Sequence, residues 1–209
     1  MYSHGLGAGD INGDGLADVI ERSGWWEQPK NWDRTTPWTY HPYPFSPGKG
    51  GAQMFAFDID GDGDNDVVTA MDGHGYGLSW FEQIEDGREI TFKEHTVMTN
   101  RMEDNPYGVS FSQLHAMSMA DIDNDGIPDI VTGKCYYAHN GHDPGAEDPA
   151  VLYWFKTQRQ SDGSAELVPY KIDDNSGVGR QITTGDLNGD GKMDIVTSNK
   201  KGIFAFIQK

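Results

Sequence analysis

The sequence predicts an all-β protein of the β-propeller class. An acidic motif recurs four times in the 209 residues, and successive copies begin 48, 63 and 65 residues apart. These intervals suit four-stranded blades joined by loops of different length. Short runs of β-branched and aromatic residues lie between clusters of glycine, asparagine and aspartate, and glycine itself occurs 27 times. This pattern predicts short strands separated by tight turns, with no long helix.

Each repeat has the same order of strand-forming segments. An alternating apolar segment precedes the acidic motif and a β-branched segment follows it, in residues 54–57 and 67–69, 116–120 and 130–132, and 182–184 and 195–197. An aromatic segment comes third, in residues 25–28, 78–81, 152–155 and 203–206. A more polar fourth segment closes the first three repeats, in residues 38–43, 90–97 and 165–172. We therefore expect one domain with blades near residues 4–49, 50–111, 112–178 and 179–209.

The acidic motifs have the residue types and spacing of calcium-binding loops. Ca²⁺ takes about six to eight oxygen ligands, and aspartate or asparagine stands at positions 1, 3, 5 and 9 of every motif, with glycine at position 6. The expected side-chain ligands are Asp10, Asn12, Asp14, Asp18, Asp58, Asp60, Asp62, Asp66, Asp121, Asp123, Asp125, Asp129, Asp186, Asn188, Asp190 and Asp194. The expected carbonyl ligands, at position 7, belong to Leu16, Asp64, Ile127 and Lys192. We expect about four structural Ca²⁺ ions, each stabilising the turn between the first two strands of its blade.

An EF-hand and an ion-free turn are the alternatives to a propeller calcium loop. An EF-hand needs a bidentate glutamate at position 12 and a following helix. Position 12 is Glu21, Thr69, Thr132 or Thr197, and β-branched strands follow three of the four motifs. Ion-free turns would place three or four carboxylates together without a cation, which is unfavourable. The pattern therefore favours calcium loops between strands.

The motif resembles that of the FG-GAP/VCBS repeat family of calcium-loop propellers. The resemblance rests on Asp-x-[Asp/Asn]-x-Asp-Gly-x-x-Asp set between strands and covers nearly the whole chain, although the literal FG-GAP letters are absent. Residues 4–10, 24–29, 50–58 and 113–121 also resemble the propeller domain of aldos-2-ulose dehydratase-like proteins, which are sugar-processing lyases. Propellers of this family usually have about seven blades. The resemblance thus implies part of a larger propeller, and a four-bladed ring with a short last blade is the alternative.

The strand order also places a group of residues at the end of the blades opposite the acidic motifs. His4, His115 and Arg180 stand six residues before the first aspartate of their repeats, and His74 follows a second strand. Neutral imidazoles can bind metals or accept protons. We therefore expect that this face can bind a transition metal in addition to the calcium ions of the loops. The expected catalytic residues are His4, His74, His115 and Tyr137. The expected ligand-binding residues are Lys134, Tyr136, His139, His142 and Arg180.

The remaining histidines and the tryptophans of the third strands fit ordinary structural roles. His41 and His95 fall in outer strands and are expected on the surface. Trp25, Trp26, Trp80 and Trp154 are expected to pack between blades rather than to bind sugar.

Composition restricts the function. The formal net charge of −17 disfavours binding to nucleic acid and to anionic membranes, and no apolar run approaches the length of a membrane span. We expect a secreted or periplasmic module whose histidine-lined face binds a carbohydrate or a protein. The alternatives are a sugar lyase or dehydratase, in which a metal polarises a carbonyl and a histidine or tyrosine removes the adjacent proton, and a purely structural spacer. Uncovered blade edges would favour self-association if the propeller is incomplete.

Overall fold

A computed structural model describes residues 4–86 and 89–209. The strands are β1 (Leu6–Gly9), β2 (Asp18–Glu21), β3 (Gly24–Glu27), β4 (Thr39–Pro42), β5 (Gln53–Phe57), β6 (Asp66–Ala70), β7 (Leu78–Asp86), β8 (Glu89–Met98), β9 (Met117–Ala120), β10 (Asp129–Gly133), β11 (Leu152–Arg159), β12 (Ala165–Asp173), β13 (Ile182–Gly185), β14 (Asp194–Asn199) and β15 (Gly202–Phe206). Helical structure in these residues consists of two short 3-10 turns, Met102–Asp104 and Ala138–Gly141. Within the same residues, no helix has the length and apolar character needed to cross a bilayer.

The strands form successive antiparallel meanders, which are the blades of a β-propeller. The first two blades are β1 to β4 and β5 to β8, and parallel pairing of β1 with β5 joins them, with Gly7 opposite Met54. The third blade is β9 to β12, and the fourth contains β13 to β15. The innermost strands β1, β5, β9 and β13 lie side by side. The predicted fold class and strand order are confirmed, whereas the blade limits within the connecting segments stay a prediction.

Apolar layers hold neighbouring blades together. Because side chains alternate between the two faces of a strand, each central strand can pack on both neighbouring blades. Between the first and second blades lie Ile20, Trp25, Met54, Val67 and Phe81. Between the second and third lie Val68, Trp80, Met117, Ile130 and Phe155. Between the third and fourth lie Val131, Leu152, Ile182 and Ile195, with Trp154 at the edge.

The outer faces of the first and fourth blades are uncovered. Trp26 and Leu6, on the first blade, are 40% and 66% exposed, and Ile203, on the fourth, is 81% exposed. The expectation that Trp26 packs between blades is therefore wrong, whereas Trp25, Trp80 and Trp154 contact the apolar layers as predicted. In a closed four-bladed ring these two faces would pack on each other. Within residues 4–86 and 89–209 the two faces do not pack on each other in this way, and the number of blades in the propeller stays a prediction.

Gly9 allows the close approach of the first two inner strands. A Cβ atom at Gly9 would lie 2.6 Å from the Cβ of Ala56, whereas a Cβ at Gly185, in the same position of the fourth blade, would meet nothing within 4 Å. We expect Gly9→Ala to lower the free energy of unfolding by about 1–3 kcal/mol, because the overpacked strands must separate. Gly185→Ala should be neutral or slightly stabilising, because alanine loses less backbone entropy than glycine in a strand. Guanidinium unfolding at fixed calcium concentration measures both values, and equal effects would contradict this packing.

Candidate functional site

The first aspartate of an acidic loop organises the loop around its carboxylate. Asp10 accepts the backbone N–H groups of Asp14 and Gly15 at 3.1 and 2.8 Å. Asp121 repeats this arrangement in the third loop with the N–H groups of Asp125 and Gly126, at 3.1 and 2.9 Å. The turn needs a left-handed residue at position 6, where Gly15, Gly63, Gly126 and Gly191 have φ angles of +85°, +102°, +90° and +84°. Glycine adopts this conformation without the strain that a side chain would introduce.

The last aspartate of every loop is buried and connects the loop to the third strand of its blade. Asp18, Asp66, Asp129 and Asp194 are at most 1% exposed. One oxygen of each carboxylate accepts the N–H of the second loop residue at 2.8–3.0 Å. The other accepts an N–H at or just beyond the third strand, from Gln28, Gln83, Thr157 or Gln208, at 2.8–2.9 Å. Burial raises the pKa of Asp66 to about 7 and that of Asp129 to about 6.

The donor set of the loops fits a hard divalent cation. Carboxylate oxygens of Asp58, Asp60 and Asp62 lie within 4.8 Å of one another, and those of Asp121, Asp123 and Asp129 do the same. Among the described residues, buried oxygens of Asp64 and Asp123 have no hydrogen-bond partner. The N–H groups of the predicted carbonyl ligands Leu16, Asp64, Ile127 and Lys192 bind the aspartate at position 5, at 2.9–3.0 Å. Unpartnered carboxylate oxygens crowded in this way are suited to Ca²⁺.

The third loop differs from the others because a lysine reaches into it. Lys156, on β11, contacts the carboxylates of Asp123 and Asp125, the latter at 2.7 Å. Glu27 and Glu82 hold the equivalent place in the first two blades, two residues after Trp25 and Trp80. The ammonium group of Lys156 therefore places a positive charge of the protein itself next to the predicted calcium ligands of the third loop.

At the opposite end of the blades, four histidines and an aspartate converge. His4 and His115 precede β1 and β9, His74 lies in the turn after β6, and His139 lies in the 3-10 turn of the third blade. The ring centroids of His4 and His115 are 5.4 Å apart, and that of His74 is 4.9 and 4.7 Å from them. One oxygen of Asp143 lies 3.1 Å from Nδ1 of His74 and 2.9 Å from Nδ1 of His139. We call His4, His74, His115, His139 and Asp143 the histidine cluster.

The histidine cluster borders an open cavity of about 720 Å³. His4, His74, His139 and Asp143 line it, together with Asp72 and Lys49. The segment that carries His139 is held in an uncommon backbone conformation, because Tyr137, His139 and Asn140 have φ angles of 49°, 47° and 57°. Left-handed residues other than glycine are uncommon and concentrate at functional sites.

Burial and nearby charges lower the pKa values of two cluster histidines, His115 and His4. Burial, the charge of Arg180 and the neighbouring imidazoles lower the pKa of His115 to about 4. Burial, His74 and Arg180 also lower the pKa of His4. Within the described part of the chain, Nε2 of His115 is buried and has no hydrogen-bond partner. A neutral imidazole offers a lone pair to a metal ion or a proton.

Four members of the cluster have the donor set of a transition-metal site. Ligand atoms of His74, His115, His139 and Asp143 all lie within 4.8 Å of one another. Zinc binds imidazole nitrogen and carboxylate oxygen at about 2.0–2.2 Å, so small side-chain movements would bring these atoms into range. Nε2 of His4 lies 3.0 Å from Nε2 of His74, just outside this set of four.

The structure separates the other residues that the sequence grouped with this face. Lys134 is completely buried, with its ammonium 3.4 Å from the carbonyl of Ala146, and does not face the cavity. His142 is exposed and lies outside the cluster. Tyr137 is 36% exposed and contacts Lys200. Tyr136 and Arg180 line a neighbouring cavity.

Sequence reasoning missed Asp143. It follows His139 by four residues in an insertion that has no counterpart in the other repeats, so the repeat pattern gives no reason to select it. The His-x-x-x-Asp spacing was the available signal.

His41 and His95 have more than a surface role. Each imidazole stacks on the tryptophan opposite it, His41 on Trp25 and His95 on Trp80, with ring centroids 4.1 Å apart in both pairs. Their Nε2 atoms lie 2.8 and 2.6 Å from carboxylate oxygens of Glu27 and Glu82, respectively. Both side chains lie at the surface as expected, 39% and 30% exposed, and their rings also cover tryptophans of the apolar layers.

The fold and the repeated acidic loops define a repeat module of the β-propeller type. Comparison with protein families identifies the type of repeat. An FG-GAP-like repeat matches residues 58–132, and an FG-GAP repeat matches residues 178–202. The resemblance to FG-GAP repeats is therefore confirmed over these two stretches of the chain. No curated protein matches the chain, so the resemblance to aldos-2-ulose dehydratase-like propellers stays a prediction.

The pKa of His115 can be tested without any ligand. In metal-free protein at pH 5, we expect one imidazole to remain neutral, because burial lowers the pKa of His115 to about 4. An unperturbed imidazole, with a pKa of about 6.5, is mostly protonated at that pH. ¹⁵N NMR distinguishes the two states, and His115→Gln assigns the signal by its disappearance. Full protonation of every histidine at pH 5 would contradict the buried environment.

Proposed function

We propose that this chain is a calcium-stabilised module that binds carbohydrate through a transition metal held by His74, His115, His139 and Asp143. One observation carries the proposal: three imidazoles and a carboxylate from the second and third blades meet beside an open cavity. Nitrogen ligands of this kind favour zinc and related metals over calcium. Four protein ligands fill a tetrahedral zinc site, so a sugar hydroxyl would bind as a fifth ligand or in place of one of the four.

The cavity suits a polyhydroxylated ligand better than an apolar one. Lys49, Asp72 and His4 supply charged and hydrogen-bonding groups on its wall. Sugar hydroxyls can replace water at a metal ion and also bond such side chains. A protein partner that reaches the metal with an exposed side chain is the competing ligand class.

The acidic loops have a structural role in this proposal. They lie between the first and second strands, at the end of the blades opposite the histidine cluster. Calcium there would stabilise the blades without contacting the carbohydrate. Extracellular calcium modules work with Kd values of about 10⁻⁴–10⁻³ M, which accords with the proposed secreted or periplasmic location.

Removal of calcium tests the structural role. We expect excess EDTA to lower the melting temperature, because an ion that binds only the folded state stabilises it by about 2.7 kcal/mol per site at a hundredfold excess over Kd. Asp62→Ala should remove one of the bound ions, as counted by elemental analysis after dialysis. Asp174→Ala, on an exposed residue outside the loops, is the control and should leave the count unchanged. A melting curve unaffected by EDTA, with no calcium in the protein, would overturn the calcium proposal.

Titration with zinc in calcium-containing buffer tests the histidine site. We expect one site per chain, and we expect His74→Ala and His115→Ala each to weaken it at least tenfold, because each removes a ligand. His142→Ala is the matched control from the same face and should bind zinc normally. Glycan-array binding should require the metal and be lost in the same two variants. Unchanged zinc and glycan binding by His74→Ala would contradict the site.

A sugar lyase is the second candidate function, and the position of His4 favours it. His4 lies beside the proposed metal ligands, and its lowered pKa leaves it neutral and able to accept a proton. In an elimination, His4 would take the proton adjacent to a carbonyl and then give it to the hydroxyl group on the next carbon, which would leave as water. The metal would polarise the carbonyl. Mass loss of one water from a 2-keto sugar, abolished by His4→Gln with zinc binding intact, distinguishes lyase from binding module.

A further inference from the structure

Basic side chains gather next to the histidine cluster in an otherwise acidic chain. The sequence has 33 acidic and 16 basic residues. Nevertheless, a second cavity of about 420 Å³ is lined by Tyr136, Arg180, Gln181, Ser198, Asn199 and Lys200, with no carboxylate among its lining residues. We call this the basic cavity. Lys201 lies next to it in sequence and is also exposed.

The cations of the basic cavity are not neutralised by carboxylates. Among the described residues, Arg180, Lys200 and Lys201 form no ion pair, although aspartates and glutamates outnumber lysines and arginines two to one. Lys200 donates instead to the carbonyl of Tyr137 at 2.6 Å and lies 5.4 Å from the centre of that ring. Lys201 lies 4.7 Å from the centre of the Tyr136 ring. Contacts with π faces and carbonyls orient a cation and leave its charge available.

The basic cavity adjoins the histidine cluster. Arg180 stands six residues before the first aspartate of its loop, the place that His4 and His115 hold in their blades, and the inner strand of its blade lies beside that of the third blade. Lys200 binds the backbone of Tyr137, and the 3-10 turn that carries His139 begins at the next residue. One ligand of oligosaccharide size can therefore contact the metal ligands and the cations together.

We propose that the ligand is an acidic saccharide whose carboxylate binds Arg180 and Lys200 while its hydroxyl groups reach the histidine cluster. This inference rests on the proposed function of that cluster. A guanidinium forms paired hydrogen bonds with a carboxylate, and such charge-assisted bonds are stronger than those between neutral groups. Sulfate esters have related chemistry, so the shared recognition element is an anionic group on a sugar ring.

Tetragalacturonate and its methyl ester are the matched probes, because esterification removes the charges and leaves the sugar rings and their hydroxyl groups unchanged. By calorimetry with zinc and calcium present, we expect the acid to bind at least about tenfold more tightly than the ester at low salt, which corresponds to about 1.4 kcal/mol. High salt should reduce the difference, since exposed charges are screened. In the double variant Arg180→Gln with Lys200→Gln, the acid should bind no better than the ester.

Lys30→Gln with Arg34→Gln is the control, because both residues are exposed in the first blade and the charge change is the same. The control should keep the preference for the acid. Equal binding of acid and ester by the unmodified protein would overturn this inference and leave the proposed function standing. If neither probe binds and no other glycan binds, the proposed function itself is overturned. Tighter binding of a sulfated galactotetraose, lost in the double variant, would support the anion site and identify sulfate as the group.

Discussion

In each blade one buried aspartate accepts backbone N–H groups from two places that are distant in sequence, the start of the acidic loop and the third strand. A single carboxylate thereby fixes the first three strands relative to one another, and both of its oxygens are satisfied. Since a buried charge without hydrogen bonds is costly, this arrangement specifies the loop conformation closely. Neighbouring loops are linked in turn, as when Asn65 donates to the carbonyl of Asp10 at 2.6 Å and Arg159 to that of Asp58 at 2.7 Å.

The acidic loops order the strands at one end of the blades, so the residues at the opposite end are not needed for that role. Inner strands held in register deliver His4 and His115 to equivalent positions, where their rings approach to 5.4 Å. The insertion of the third blade then adds His139 and Asp143 without disturbing the strands. The acidic loops and the histidine cluster thus lie at opposite ends of the same meanders.

Sequence periodicity predicted the strands and loops because every repeat has the same order of residue types. It predicted the convergence of His4, His74 and His115 because the repeat register fixes the ends of the strands. It failed where a residue has no counterpart in another repeat. Asp143 belongs to such an insertion, and burial of Lys134 depends on how that insertion folds over it. It also failed where the same residue meets a different environment: Trp25 packs on the next blade, whereas Trp26 faces outward from the uncovered first blade.

Lys156 distinguishes the third blade from the other three, because this lysine of β11 reaches the carboxylates of the acidic loop. Lys156 brings its charge to Asp123 and Asp125 on a tether, and tethered groups act at effective concentrations of about millimolar. The third blade can therefore close its acidic turn before any dissolved ion binds. It also contacts the loops on both sides, through Arg159 to the second blade and Asn124 to the fourth. Side chains of this one blade thus connect the acidic loops of three consecutive blades.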